Sequence, residues 1–191
     1  MNGIMFKPDI WIAKKKVLEQ LGFAVTRRLG GLKELNQEPD KWELIQWKYK
    51  MTGKITTGFF FRKNDGKEIV VHPRYHIGET VYIKEAWATE KQYDNLKPSE
   101  IPNTAKIFYV NDGVGEWPIE LIIGRLRSPL FMPAWAARDF IQFTDIRPEL
   151  FRLAQMIPQE LELEGGEPAL KYLKEYDGKW LWRDEFRRVE K

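Results

Sequence analysis

Hydrophobic positions along the chain change their period at a few sharp points, and those points set the predicted elements. Ile10, Ala13, Val17, Leu18 and Leu21 recur at helical spacing, which predicts an amphipathic helix opened by Asp9 as N-cap and closed at Gly22. Its other face carries Lys14, Lys15 and Lys16, a run that usually faces solvent. Gly30-Gly31 then breaks the chain, and Asn36 to Asp40 reads as a loop. From Trp42 the period falls to two: Trp42 to Lys50, Thr57 to Lys63 and Glu68 to Val71 are predicted strands, with Asn64-Asp65-Gly66 as the turn between the latter two. Gly78 to Trp87 is the clearest strand, and further strands are expected over Lys106 to Val110, Pro118 to Ile123, Phe140 to Ile146 and Lys179 to Val189. Asn111 to Gly115 is the expected turn between two of them, and Lys91 to Asn103, with two prolines, is expected to be a mobile surface excursion. Short helices are predicted over Pro158 to Glu164 and from Pro168 to the Asp177-Gly178 stop.

One position breaks the binary pattern. In the Gly78 to Trp87 strand, alternation places Val81, Ile83, Glu85 and Trp87 on one face, so a carboxylate shares the apolar side. Lost hydration there must be offset by a hydrogen bond, a cation or a raised pKa, which makes Glu85 a candidate functional group. A strand end that returns Glu85 to water, or a buried structural ion pair, would produce the same pattern. In the last strand, alternation sets Trp180, Trp182 and Phe186 on one face and Arg183, Glu185 and Arg187 on the other.

Two basic segments stand out. Thr26-Arg27-Arg28 offers a hydroxyl and two guanidiniums that could clamp phosphate or carboxylate bidentately, or could be ordinary surface residues. Gly124 to Arg138 fits neither a helix nor a strand period, and interleaves Arg125, Arg127 and Arg138 with Trp135 and other apolar residues. Arginine meets phosphate while an aromatic ring stacks on a base, so the composition suits single-stranded nucleic acid; an apolar loop plugging a barrel would look the same.

Composition narrows the classes without choosing among them. The 191 residues lie within reach of one compact domain, and no repeat, low-complexity tract or linker divides them, so residues 1–191 are read as a single domain. With 43% hydrophobic and 31% charged residues and no long apolar run, a soluble protein is expected and a membrane span is not. Met1 to Pro8 lacks the pattern of a secretory signal, so a cytoplasmic protein is expected. There is no cysteine and only His72 and His76 as histidines, so neither a metal nor any other cofactor is expected. Residues 1–50 hold ten Lys or Arg against six Asp or Glu, and 151–191 hold eight against nine. That frontal excess suits a polyanion, or simply a soluble surface.

The order of segments carries a resemblance. Gly3-Ile4-Met5-Phe6-Lys7-Pro8, a helix, Thr26-Arg27-Arg28, then Pro73-Arg74-Tyr75 with Gly78 to Trp87, and Ser128 to Arg138, together resemble phage-type ASCH-domain proteins of the PUA-like superfold. The likeness runs from Ile4 to about Gly166, with the Trp182 to Val189 strand also similar. It implies an α+β fold, a small PUA-like β-barrel decorated with helices, whose cleft wall includes the Thr26 segment and the Glu85 strand. It also implies RNA, nucleotide or modified-nucleoside binding, with Glu85 and Thr26 on the polar edge of a base and the arginines on phosphate.

Some ASCH proteins are amidohydrolases that deacylate a modified cytidine with a lysine, a threonine and a glutamate. Matched on Thr26 and Arg28, the family pattern Gly-x-Lys-x-x-Thr-x-Arg puts Phe23 at the lysine position and Leu21 at the glycine position. Thr26 and Glu85 would be the catalytic pair of such an enzyme; the missing cation leaves the threonine without its activator unless Lys14 to Lys16 or Lys33 supplies one. Binding is therefore the leading expectation and acylcytidine hydrolysis the alternative. A regulatory module whose apolar loop docks a protein partner is the third.

Overall fold

Residues 1–46, 58–110 and 123–190 are described by a computed structural model. The expected strand residues 47–50, 57 and 118–122 and the Asn111 to Gly115 turn lie outside them. The fold is mixed α+β, with three α-helices and ten strands among the described residues. The strands fall into sheets of five, three and two, none closed into a barrel among the described residues. Two compact units share the chain. One comprises Met1–Ile12, Thr80–Ile141 and Arg188–Lys191; the other comprises Ala13–Glu79 and Gln142–Arg187.

Helix α1 (Pro8–Leu21) begins one residue earlier than its sequence cap suggests. Pro8, whose ring presets helical φ and whose missing N–H would be unpaired there anyway, takes the first helical position. Asp9 falls in the first turn, where its Oδ1 accepts the Ile10 N–H at 2.9 Å. The helix ends as expected: Gly22 adopts φ +80°, open to glycine at little steric cost, and donates its N–H to the Leu18 carbonyl.

In the first unit β1 (Gly3–Met5) runs parallel to β6 (Thr80–Lys84), with Met5 opposite Lys84. β7 (Trp87–Ala88) pairs antiparallel with β8 (Phe108–Tyr109). The predicted Gly78 to Trp87 strand is thus two strands with a break at Glu85-Ala86. β1 ends opposite Lys84, and the chain changes neighbours before Trp87. In the break the Glu85 N–H meets the Met132 sulfur at 3.3 Å and Ala86 accepts from the Val110 N–H. The core of this unit gathers Tyr82, Trp87, Ile101, Met132, Ala136 and Phe140. Ile101, Tyr93 and Leu96 pack into or against that core, so the Lys91 to Asn103 excursion is anchored by apolar contact.

In the second unit β3 (Trp42–Gln46), β4 (Phe59–Lys63) and β5 (Glu68–Val71) form the expected antiparallel meander, with Gly66 at φ +88° in the turn. β2 (Ala24–Arg28) lies antiparallel to the part of β10 (Trp180–Val189) that belongs to this unit, with Arg28, Arg27 and Thr26 opposite Trp182, Arg183 and Asp184. β9 (Phe140–Leu150) is the neighbour of β10 and runs four residues beyond the predicted Ile146. Helix α2 (Pro158–Glu164) starts at its proline as expected, α3 (Glu167–Tyr176) starts one residue before Pro168, and Phe151, Ala169, Leu173 and Leu181 form a core. Asn36 acts as a substitute strand neighbour, donating to the Trp180 carbonyl at 2.9 Å and accepting its N–H at 2.7 Å.

Candidate functional site

The carboxylate singled out by the binary pattern is buried in the first unit. Val81, Ile83, Glu85 and Trp87 are all at most 3% exposed, as alternation requires, although the strand is interrupted among them. Glu85 meets a cation. Arg138 Nε donates to Oε2 at 2.9 Å and Nη2 to Oε1 at 3.0 Å, a fork geometry that fixes the guanidinium plane. The Arg138 guanidinium also lies 4.1 Å from the Tyr109 ring centre, and the Tyr109 hydroxyl donates to the Ala136 carbonyl at 2.7 Å, which holds the ring in place.

A second carboxylate and a second arginine extend this arrangement. Asp139 is 1% exposed, accepts from Trp11 Nε1 at 3.3 Å and from Arg188 Nη2 at 2.6 Å, and has Arg138 Nε 3.9 Å away. Buried acids therefore anchor two arginines that stay partly open, Arg138 with 27% and Arg188 with 48% of the side chain exposed. Both line a cavity of about 450 Å³ together with Val189 and Glu190. Glu85 lines a smaller one of about 50 Å³ with Phe6, Trp11, Lys84 and Pro129, where Phe6 and Trp11 stack at 5.5 Å. This group can hold an anion against two preset guanidinium planes.

The remaining residues of the Gly124 to Arg138 segment serve different ends. Arg127 is buried and gives Nη1 to the Leu96 carbonyl at 3.1 Å and Nη2 to the Tyr93 carbonyl at 2.7 Å, tying down the excursion. Trp135 is half-buried and meets Trp87 edge to face at 6.4 Å. Arg125 is exposed, and its backbone N–H donates to Asp94 Oδ1 at 2.7 Å. Leu126, Leu130 and Phe131 are exposed as well.

Thr26, Arg27 and Arg28 belong to the second unit, where they join a buried network of charge. Arg27 lies among three carboxylates, bonded by Nε to Glu149 and by Nη2 to Glu160 at 3.4 Å, with Nη1 at 3.8 Å from Glu164. Burial alone would lower its pKa; Glu149, Glu164 and Glu160 outweigh that and raise it. Lys14 is fully buried, contrary to the solvated face expected of it. Its Nζ donates to the Val25 carbonyl and to Glu164 Oε2 at 3.0 Å. Lys14 lies four residues after Ile10 and four before Leu18, hence on the apolar face. Burial pushes the Lys14 amine down and the Glu164 carboxyl up, with their mutual attraction opposing both shifts. Arg183 closes the group at 3.9 Å from Glu149 and 3.8 Å from Glu160.

Thr26 is buried directly opposite Asp184 in the β2–β10 ladder, so the two side chains leave the sheet on the same side. Arg28 is ion-paired with Asp184 and lies 4.8 Å from the Tyr75 ring centre. Burial pushes the Asp184 carboxyl up against the pull of Arg28. Asp184, which is not among the expected site residues, carries the same signal as Glu85: it alternates with Trp180, Trp182 and Phe186 on the apolar face. Thr26 and Glu85, the pair implied by the resemblance, belong to different units.

No family model matches the chain, and no curated protein or solved structure matches it either. Among the described residues no cluster of three or more His, Asp or Glu is arranged to hold a metal ion, and no helix is long and apolar enough to cross a membrane.

Proposed function

We propose that this protein binds RNA, or a nucleotide or modified nucleoside, through the first unit, acting in the cytoplasm as an ASCH-type module on a PUA-like barrel. The single observation that carries this reading is the pair Arg138 and Arg188, each fixed by a buried carboxylate and both lining the cavity of about 450 Å³. Donors held in place lose little rotamer freedom when phosphate arrives, and a cavity of this size lies within the range of small-ligand pockets. Tyr109, against the Arg138 guanidinium, adds an aromatic face beside it. Arg27 and Arg127 are committed to internal partners, so the phosphate contacts are assigned to Arg138, Arg188 and the exposed Arg125. Anisotropy titration of a labelled single-stranded RNA should show affinity falling as salt rises, and Arg138→Ala should flatten the log–log slope by roughly 0.7 per lost contact. No binding at low salt, or an unchanged slope in both Arg138→Ala and Arg188→Ala, refutes the reading.

One observation favours hydrolysis of an acylated cytidine-type nucleoside as a second reading. Lys14, absent from the family position at Phe23, brings its amine to the carbonyl of Val25, the residue before Thr26, while Asp184 faces Thr26 across the ladder. Incubation with an acylcytidine tests it; turnover that survives Thr26→Val and Lys14→Met alike excludes it.

A further inference from the structure

The cavity of about 450 Å³ that Arg138 and Arg188 line also has a wall of the opposite sign, for Glu190 lines it together with Val189. All four residues belong to the first unit. The two guanidiniums converge on one carboxylate: Arg188 Nη2 donates to Asp139 Oδ1 at 2.6 Å, and Arg138 Nε lies 3.9 Å from Oδ2. That is the only hydrogen bond of the Arg188 side chain among the described residues, so its other N–H groups are available to a ligand. Glu190 follows Arg188 by two positions, a span of no more than about 7 Å of chain. Val189 between them packs against the core of Tyr82, Trp87 and Phe140, which holds this end of β10 in place. Glu190 is exposed, and its carboxylate meets neither a hydrogen-bond donor nor a cation among the described residues.

A carboxylate on the wall of a phosphate site is a mismatch for phosphate alone. Both groups only accept hydrogen bonds, and like charges a few ångströms apart repel. A ligand that suits this wall presents an anion to the arginines and a donor to the acid beside them. The RNA backbone does both within one nucleotide. Its ribose 2′-hydroxyl sits on the ring carbon next to the one that bears the 3′-phosphate, and that hydroxyl donates. DNA brings the phosphate without the donor, and so does a 2′-O-methylated strand.

We propose that Glu190 is a specificity-determining residue: it accepts the 2′-hydroxyl of the nucleotide whose 3′-phosphate meets Arg138 and Arg188, so that the site takes RNA in preference to DNA. This specificity rests on the RNA reading above and adds the sugar that the site selects. Anisotropy titrations of the full chain at one salt concentration compare a single-stranded RNA, the same sequence in deoxyribose with uracil retained, and its 2′-O-methyl form. Wild type should bind the RNA about tenfold more tightly than either, as one hydrogen bond to a charged group allows. In Glu190→Ala that preference should disappear, because RNA loses a bond while the other two strands are only relieved of a repulsion. Glu190→Gln, whose amide oxygen still accepts, should keep part of it. DNA bound as tightly as RNA by wild type, or a preference unchanged in Glu190→Ala, overturns this inference alone and leaves salt-dependent binding through the arginines standing. An equal loss for RNA and DNA in Glu190→Ala overturns it too, since the donor then lies on the base or the effect is structural. No RNA binding at low salt overturns both readings.

Discussion

The Lys14–Glu164 pair offers the sharpest test of how the second unit is held together. Both side chains are fully buried and 3.0 Å apart, which at an effective dielectric of about 20 corresponds to an attraction of about 5–6 kcal/mol. Arg27 at 3.8 Å adds about 4 kcal/mol of attraction to Glu164 by the same estimate. The two single deletions should therefore differ. In Lys14→Met, Glu164 keeps Arg27 nearby, and its carboxyl can take up a proton. In Glu164→Gln, Lys14 and Arg27 are left as neighbouring cations that repel each other. We expect Glu164→Gln to lose about 5 kcal/mol and Lys14→Met about 3 kcal/mol, whereas Lys14→Met with Glu164→Leu should fall within about 1 kcal/mol of wild type. Urea denaturation at neutral pH, read as the midpoint at constant slope, measures these variants, and Glu164→Leu alone completes the cycle with Lys14→Met and the double variant. Additive losses, or a Lys14→Met cost below about 0.5 kcal/mol, would refute a dry, coupled pair.

The pH dependence carries its own sign. Burial pushes the Glu164 carboxyl above its unfolded value of 4.5, so the fold binds that proton more tightly than the unfolded chain does. The resulting stability is complete below that value and is lost as pH rises through the folded pKa. Removing Lys14 pushes the folded pKa further up, so Lys14→Met should lose more stability between weakly acidic and neutral pH than wild type does.

Other consequences are as specific. Glu85→Ala should lose about 1–3 kcal/mol in a urea melt, because it removes both bonds of the fork while Arg138 stays partly solvated and near Asp139, and should weaken RNA binding through Arg138. Asn36→Ala removes both bonds to Trp180 and should cost about 2–3 kcal/mol, and Asn36→Asp, which keeps the acceptor but sets a charged carboxylate oxygen against the Trp180 carbonyl, should be destabilised as well; thermal melts compare the two. Gly124→Ala would drive a Cβ into Asp94 Oδ1 and to 3.1 Å from the Lys91 backbone. It should cost about 1–3 kcal/mol and speed amide exchange around Asp94.

Local chemistry accounts for what the sequence alone determined. The α2 and α3 boundaries follow from Pro158, Pro168 and the glycines that end them, and the Asn64-Asp65-Gly66 turn from a φ that glycine tolerates. Burial of Val81 and Ile83 is what alternation along β6 expects, although Tyr82 on the other face is buried as well. Partners separated by many residues were decided in three dimensions. Nothing near Glu85 in sequence marks Arg138 as its counter-ion, and the break at Glu85-Ala86 exists because β1 stops opposite Lys84. Lys14 reads as one of three solvated lysines until Glu164, 150 residues away, arrives to compensate its burial. The arginines of both basic segments look alike as letters, yet Arg27 and Arg127 turn inward while Arg138 keeps part of its surface open. Composition reports which charges a chain owns. Their worth depends on desolvation and on the distance to the opposite charge, and both quantities come into being only when the strands and helices pack.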